Sequence, residues 1–267
     1  MPKVRVRGRG FFYRAAGHNR VPLVFLSGLG ADHRAFARSQ HYFEAKFRVF
    51  TFDARDVGQS DRFSEAYSTA DMADDVAGWL DQVSGQPAHV VGHSLGGLIA
   101  QELALGHPQQ VKSLILVSTH CGADLWRKAV MESWVALKRD LDIGEFTRAV
   151  LPWLVAPPFY QHLSQIDGLI EFAQRNPWPQ DADAFARQAG AATGHDTRKR
   201  IGQIGVPTMV LVGERDIVNP PKVSGELASG LRHARLIVLP DVGHLPHVED
   251  PVRFLREVEQ FLVDQER

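Results

Sequence analysis

The stretch His89-Val90-Val91-Gly92-His93-Ser94-Leu95-Gly96-Gly97-Leu98-Ile99-Ala100 decides the fold of this chain. An apolar run, 88–91, stops at a serine flanked by glycines, and a helical pattern of apolar residues begins directly behind it. This order predicts a buried strand, a tight turn and a helix. A serine in such a strained turn projects its hydroxyl away from the sheet. We therefore interpret Ser94 as a nucleophile; the alternative is a glycine-rich turn that only connects a strand to a helix.

The composition is that of an ordinary globular protein. With 267 residues, 44% of them hydrophobic and 23% charged, the chain fits one α/β domain with an inserted subdomain. A net charge of -1 favours neither nucleic acid nor an anionic membrane surface as a partner. The single cysteine, Cys121, allows no intrachain disulfide. No apolar run reaches the ~18 residues of a membrane span, and residues 1–7 lack a signal peptide's apolar region, so we expect a soluble, cytoplasmic protein.

Strand and helix patterns alternate along most of the chain. This alternation predicts a parallel sheet whose strands are joined by right-handed helical crossovers. Binding sites in such sheets lie at the carboxyl ends of the strands, and the polar turns of this chain gather there. The predicted strands are one or two edge strands within 4–14, and then 21–26, 48–52, 88–91, 111–118, 206–212 and 235–239.

The alternation stops between residues 121 and 199. This stretch shows no strand pattern and is interrupted by prolines at 152, 157, 158, 177 and 179, which predicts several short helices. We predict a core domain of residues 1–120 and 200–267, with 121–199 inserted as a helical lid over the strand ends. Most aromatic residues of the lid are expected to pack inside it, and the others to line an apolar pocket above Ser94. The predicted substrate-binding residues are Gly28, His93, Cys121, Trp126, Trp153 and Phe159.

A serine hydroxyl is a weak nucleophile unless a base takes its proton. His244 is the best candidate for this base, because it follows the last predicted strand in a glycine-containing loop. The alternative is a surface histidine without a catalytic role. His247 is the second choice, and His93, beside the serine, is expected to point sideways into packing.

The base needs a carboxylate that holds its tautomer and stabilises the imidazolium. Asp216 follows the strand predicted at 206–212. The chain order is then Ser94, Asp216, His244, as expected for a triad on an open α/β sheet. Glu214 and Asp241 are rivals, although either could be a solvated loop charge or a helix cap.

Acyl transfer also needs donors for the oxyanion that develops on the attacked carbonyl. We predict the backbone amide of Leu95, directly after the nucleophile, as one donor. The amide of Leu29, in the turn Ser27-Gly28-Leu29-Gly30, is predicted as the other. The alternative is an ordinary turn between a strand and a helix.

With these residues in place, the chain resembles α/β-hydrolase-fold proteins over nearly its whole length. The resemblance implies a mostly parallel eight-stranded sheet flanked by helices, with an inserted helical lid. Within that superfamily the chain is most similar to 3-oxoadipate enol-lactonases and related small carboxylesterases, through residues 73–76, 96–104 and 246–251. The broader resemblance rests on 27–30, 53–61, 92–96, 212–216 and 242–244.

Two positions depart from the pattern of these relatives. Ser27 stands where many of them begin the oxyanion loop with histidine. Asp56 replaces the first glycine of the pattern D-x-R-G-x-G-x-S. If this position needs a positive φ, aspartate costs about 1 kcal/mol more than glycine. We expect Asp56 to alter the loop beside the site.

The sequence thus predicts a serine hydrolase, without cofactor or metal, that cleaves an ester or lactone of a small to medium, partly apolar carboxylic acid through an acyl-enzyme. The same triad also serves C–C bond hydrolases, perhydrolases and lyases, because a fold does not determine a function. A ligand receptor of this fold is an alternative from a different class. The expected partner is the small-molecule substrate, and the sequence leaves open whether the chain forms a homodimer.

Overall fold

An eight-stranded β-sheet forms the centre of the computed structural model, which describes residues 3–266. Its strands are β1 (Lys3–Val6), β2 (Arg9–Ala16), β3 (Pro22–Leu26), β4 (Arg48–Phe52), β5 (Ala88–His93), β6 (Val111–Val117), β7 (Thr208–Gly213) and β8 (Ala234–Leu239). They lie in the order β1-β2-β4-β3-β5-β6-β7-β8. β2 is antiparallel to β1 and β4, and the other neighbouring pairs are parallel. The predicted mostly parallel eight-stranded sheet is confirmed.

Helices cover both faces of this sheet, which explains the continuous apolar runs of the central strands. β3, β5 and β7 are buried at every residue, as strands between two helical layers must be. Trp79 packs against Phe50 and Phe52 on one face, and Phe25 packs against Phe36 on the other. The helices are α1 (Ala37–Phe43), α2 (Thr69–Val83), α3 (Leu95–Gly106), α4 (Leu125–Asp140), α5 (Ile143–Leu154), α6 (Leu163–Gln174), α7 (Ala182–Gly194), α8 (Pro221–Gly230), α9 (Pro246–Glu249) and α10 (Pro251–Gln265).

The segment 121–199, called the helical insert below, contains α4 to α7. Its two ends meet where Gly122 and Asp196 form an antiparallel bridge. The amide of Thr197 donates to the carbonyl of Cys121 at 2.8 Å beside that bridge. One proline behaves differently from the prediction, because Pro152 lies inside α5 instead of ending it. It stands two residues before the end of the helix, so its missing amide removes a hydrogen bond only from the last turn.

Asp56 links the loop after β4 to the helical insert. Its φ is 67°, so the position does require the left-handed conformation that favours glycine. Its carboxylate is fully buried and accepts from the guanidinium of Arg187 on α7, at 2.9 and 3.1 Å. It also accepts from the hydroxyl of Tyr67 and the amide of Phe63, each at 2.8 Å. The backbone strain is therefore offset by an ion pair and two hydrogen bonds that a glycine could not form.

We expect Arg187→Met to lower the free energy of unfolding by about 3–5 kcal/mol, because it leaves the buried Asp56 carboxylate without its counter-charge. Urea denaturation at neutral pH measures the change. Arg175→Met is the matched control, since Arg175 pairs with Glu171 on the exposed face of α6. Exposed pairs of this kind contribute about 0–1 kcal/mol. Equal, small losses of unfolding free energy in the two variants would contradict the stabilising role of the Asp56–Arg187 ion pair.

Candidate active site

Ser94 occupies the sharp turn between β5 and α3. Its φ of 52° and ψ of −117° are rare for a residue with a side chain. Its amide donates to the carbonyl of Val117 on the neighbouring strand at 2.9 Å. A Cβ atom at Gly92 would overlap the carbonyl of Gly96, and one at Gly96 would overlap the carbonyl of Leu26. The two glycines are therefore required by the close approach of backbone segments around the serine.

Asp216 and His244 form a buried pair on the loops after β7 and β8. The Nδ1 atom of His244 lies 2.8 Å from Oδ2 of Asp216, and each residue is only 2% exposed. The other carboxylate oxygen, Oδ1, accepts from the amides of Val218 and Asn219 at 2.9 and 2.8 Å. A carboxylate held in this way selects the tautomer with its proton on Nδ1, which leaves Nε2 as a proton acceptor.

The two rival carboxylates lie outside this pair. Asp241 is exposed and forms an ion pair with Arg215 at 2.5 Å. Glu214 is also exposed and accepts from the amide of Asp241 at 3.2 Å. The geometry therefore brings Asp216, and neither rival, to His244.

The backbone of His244 is anchored on both sides. Its amide donates to the carbonyl of Leu154, at the end of α5 in the helical insert, at 2.9 Å. Its carbonyl accepts from Nε2 of His93, which is 2.8 Å away. Burial lowers the pKa of His93 well below its usual value, so this ring stays neutral and donates from Nε2. His93 thus connects the serine turn to the histidine loop, a contact that sequence reasoning missed.

Glu249 on α9 also holds the loop that carries His244. Its carboxylate accepts from the amides of Gly243 and Leu245, on either side of His244, at 3.0 and 3.1 Å. It also accepts from the amide of Ala156 in the helical insert at 2.7 Å. Burial raises the pKa of Glu249, and the three amide donors oppose that rise. This positioning role escaped the sequence reasoning, because an acid five residues after a histidine resembles an ordinary surface charge.

His247, the second candidate for the base, is packed against rings. Its ring centroid lies 4.7 Å from that of Phe36 and 4.9 Å from that of His93. Burial lowers the pKa of His247 to about 3. Among residues 3–266, no carboxylate bonds to His247 as Asp216 bonds to His244, which makes it the weaker candidate.

The loop after β3 lies against the serine. A Cβ atom at Gly28 would stand 3.3 Å from Cβ of Ser94 and 2.9 Å from Nδ1 of His93, so the loop can approach closely only with glycine there. Leu29 and Leu95 line a small cavity of about 40 Å³ together with Ser94. Both predicted oxyanion donors therefore belong to residues that lie beside the nucleophile.

Other amides of this loop are already occupied. The amide of Gly30 donates to the side chain of Gln188 on α7 at 3.1 Å. The amide of Ala31 donates to the carbonyl of Gly28 at 3.1 Å, within the turn. Two amides of the turn are therefore engaged within the protein, and the oxyanion role of the Leu29 amide stays a prediction.

A larger cavity of about 830 Å³ opens between the helical insert and the strand ends. Ser94 and His244 both line it, so the predicted nucleophile and base face the same space. Apolar side chains of α4, α5 and α6 form part of its wall, and the loops after β3 and β8 form another part. The other predicted residues on its wall are Gly28, Leu29, His93 and Phe159.

The structure corrects the predicted pocket role of Trp126, Trp153 and Cys121, which are absent from the described wall of this cavity. Trp126 lies in the first turn of α4, two turns before the buried Trp134. It is 45% exposed, and its ring packs against Trp153 at a centroid distance of 6.1 Å. Cys121 lies at the base of the helical insert, where burial raises the pKa of its thiol and so disfavours a reactive thiolate.

One group of side chains has the donor types of a metal site. Potential ligand atoms of Asp32, His33 and Asp53 lie within 4.8 Å of one another and are buried. In the structure, His33 bonds to Asp53 through Nδ1 at 2.9 Å, and Asp32 pairs with Arg34 at 2.9 Å. The His33–Asp53 bond connects the loops after β3 and β4, whereas the Asp32–Arg34 pair lies within the first of these loops.

A parallel sheet with a serine turn after one strand, and an acid and a histidine after two later ones, is the arrangement of α/β hydrolases. The chain belongs to the alpha/beta hydrolase family, whose profile matches residues 23–257. This result confirms the resemblance drawn from the sequence motifs. No helix within residues 3–266 has the length and apolar character needed to cross a membrane.

Relatives within this family carry several activities in their names. A protein of Variovorax paradoxus assigned as the carbamate hydrolase RutD is 33% identical, over 90% of this chain and 91% of its own. A Mycobacterium tuberculosis protein assigned as the non-heme bromoperoxidase BpoC is 29% identical, over 86% and 89%. The crystal structure of the enol-lactonase from Burkholderia xenovorans LB400 superposes with a TM-score of 0.89 at 25% identity, covering 98% of this chain and 100% of that one. The family is therefore clear, whereas the reactions assigned to its members differ.

Proposed function

We propose that this protein is a serine hydrolase that cleaves an ester or lactone of a small to medium, partly apolar carboxylic acid. The observation that carries the proposal is the 2.8 Å contact between His244 and Asp216, together with the cavity that His244 and Ser94 both line. The similarity to an enol-lactonase supports a lactone or ester as the substrate class. The relative assigned as a carbamate hydrolase extends the proposed substrate class to carbamates, which present the same kind of carbonyl to a nucleophile.

The reaction would proceed in two halves. His244 takes the proton of Ser94 through Nε2, and the serine oxygen attacks the carbonyl carbon. The amides of Leu29 and Leu95 stabilise the oxyanion, and Asp216 stabilises the imidazolium. The protonated His244 then donates to the departing alcohol or enol, which leaves an acyl group on Ser94. Water, activated by the same histidine, releases the acid and restores the serine.

The size and polarity of the cavity favour a substrate larger than acetate esters. Its volume of about 830 Å³ lies within the range of about 300–1,000 Å³ typical of small-molecule sites. Apolar contributions come from side chains that include Ile143, Val150, Leu151 and Phe159. An acyl chain of several carbons could therefore be buried beside Ser94.

A covalent intermediate tests the proposed mechanism directly. With an activated ester whose acyl group leaves slowly, we expect a pre-steady-state burst that approaches one product per active site. Intact-protein mass spectrometry should show one acyl adduct, and peptide mapping should place it on Ser94. An organophosphonate should label the same peptide in the native enzyme and not in Ser94→Ala.

Other outcomes would point to the alternative functions. An efficiently processed ester that gives neither burst nor adduct, although deacylation is shown to be slow, contradicts the acyl-enzyme. An adduct on Cys121 would indicate a thiol nucleophile. A normal adduct with negligible turnover on every ester would favour a ligand receptor. Bromide peroxidation or perhydrolysis exceeding ester hydrolysis would favour the activity assigned to the Mycobacterium tuberculosis relative.

A further inference from the structure

One cation on the wall of the large cavity is partly shielded from water and lies against an aromatic ring. Lys138 on α4 lines the cavity and is half-buried, with its Nζ 4.8 Å from the centroid of the Phe146 ring. Among residues 3–266, no carboxylate oxygen forms an ion pair with it. Burial lowers the pKa of Lys138, and Asp181 opposes that shift; Asp181 itself caps α7 and lies 3.8 Å from Arg62. The ammonium is thus partly dehydrated and held against an aromatic face, without a counter-ion.

The other charged groups on the wall are already matched or solvated. Arg34 forms a two-pronged ion pair with Asp32, at 2.9 to 3.1 Å. Glu249 is occupied by the three amides of the histidine loop and the insert. Arg38 is exposed, so its guanidinium is solvated by water. Lys138 is therefore the partly buried cation of the cavity that a bound anion would neutralise.

Lys138 lines the same large cavity as Ser94. Trp134, one helical turn earlier on the same face of α4, lines both the large cavity and the small cavity beside Ser94. One turn advances about 5.4 Å along the helix. The rings of Phe146 and Phe185, 5.4 Å apart, form an apolar wall on this side. This arrangement suits an apolar spacer between the reacting carbonyl and a charged end.

We propose that Lys138 binds a carboxylate on the substrate, so that the enzyme prefers esters or lactones of carboxylate-bearing compounds. The inference rests on the proposed ester or lactone hydrolysis and specifies its substrate class. A carboxylate that replaces water on a half-buried ammonium gains a charge-assisted hydrogen bond. A neutral analogue of the same length leaves the cation without that partner.

The test compares charged and neutral esters in matched pairs. One pair is the 4-nitrophenyl monoester of hexanedioic acid with 4-nitrophenyl hexanoate, which places the charge on the acyl side. The other pair is 4-carboxyphenyl hexanoate with phenyl hexanoate, which places it on the leaving group. We expect Lys138→Met to lower the charged-to-neutral ratio of kcat/KM by about 10- to 100-fold in one of the pairs. Lys138→Arg should restore most of the ratio, because it restores the charge.

The matched control is Lys128→Met, which removes an exposed lysine from the same helix and should leave the ratio unchanged. An unchanged ratio in both pairs for Lys138→Met would overturn the inference. A loss confined to one pair identifies the half of the substrate that carries the charge.

A binding measurement separates this inference from the proposed function. Calorimetry with Ser94→Ala compares the binding of the hexanedioate monoester and of the hexanoate ester without turnover. Adding Lys138→Met should weaken binding of the charged ester about tenfold or more relative to the neutral one. If the native enzyme cleaves neither ester while this difference persists, ester hydrolysis fails and the anion site stands. If turnover occurs and the difference is absent, the anion site fails and the hydrolase stands.

Discussion

Ser94→Ala is expected to lower kcat at least about a thousandfold on any ester that the native protein cleaves. The serine turn, the buried Asp216–His244 pair and the cavity that Ser94 and His244 both line support this prediction. Without the oxygen there is no acyl-enzyme, and the remaining amides can only bind the substrate. Initial rates at saturating substrate, with the enzyme at high concentration, measure the loss.

The fold should survive this substitution, because Ser94 is partly exposed to the cavity and alanine is smaller. Thermal unfolding should confirm that the variant melts near the native temperature. Ser133→Ala is the matched control, since its hydroxyl lies on the exposed face of α4 and donates to the carbonyl of Ala129 in the same helix. Substantial residual activity in a folded Ser94→Ala, with Ser133→Ala at native activity, would remove Ser94 from the mechanism.

Asp216→Asn should reduce kcat by about 10³- to 10⁴-fold at neutral pH. The amide keeps the size of the side chain, but its nitrogen donates a hydrogen bond where the carboxylate accepts one. His244 would then carry its proton on Nε2, the atom that must accept from Ser94. The negative charge that stabilises the imidazolium is lost as well.

Asp241→Asn provides the comparison, because this aspartate is exposed and pairs with Arg215. We expect that variant to stay within about twofold of native kcat, as surface substitutions seldom propagate to a buried site. Steady-state kinetics give kcat for the two variants side by side. Circular dichroism verifies that both are folded. A mild Asp216→Asn and a severe Asp241→Asn would mean that the acid of the triad has been assigned to the wrong loop.

The parts of this protein that could be predicted from sequence are those set by local backbone geometry. The serine turn is one, because the glycines two before and two after Ser94 are needed by segments that meet at that turn. The parallel sheet is another, since strands buried on both faces, such as β3, are nearly continuous apolar runs. The acid and the histidine were found through their places after strands, since the carboxyl ends of parallel strands share one edge.

Side-chain pairings between distant segments could not be predicted in the same way. Asp56 was recognised as an unusual residue in a glycine position, but its partner Arg187 lies 131 residues later, on a helix of the insert. The amide of His244 donates to the carbonyl of Leu154 in the insert, and the amide of Ala156 in the insert donates to Glu249; neither contact leaves a pattern in the chain. Such contacts depend on how the insert packs against the core.

The sequence alone therefore determined the class of fold, the turn that presents Ser94 and the loops that carry Asp216 and His244. Only the tertiary structure decided which carboxylate contacts the histidine, which aromatic residues line the cavity, and that Lys138 faces it without an acid. The physical reason is the distance along the chain between the residues that interact. Strand, turn and helix follow from residues a few positions apart, whereas a cavity wall is set by the rotation of each helix against its neighbours, which no short segment encodes.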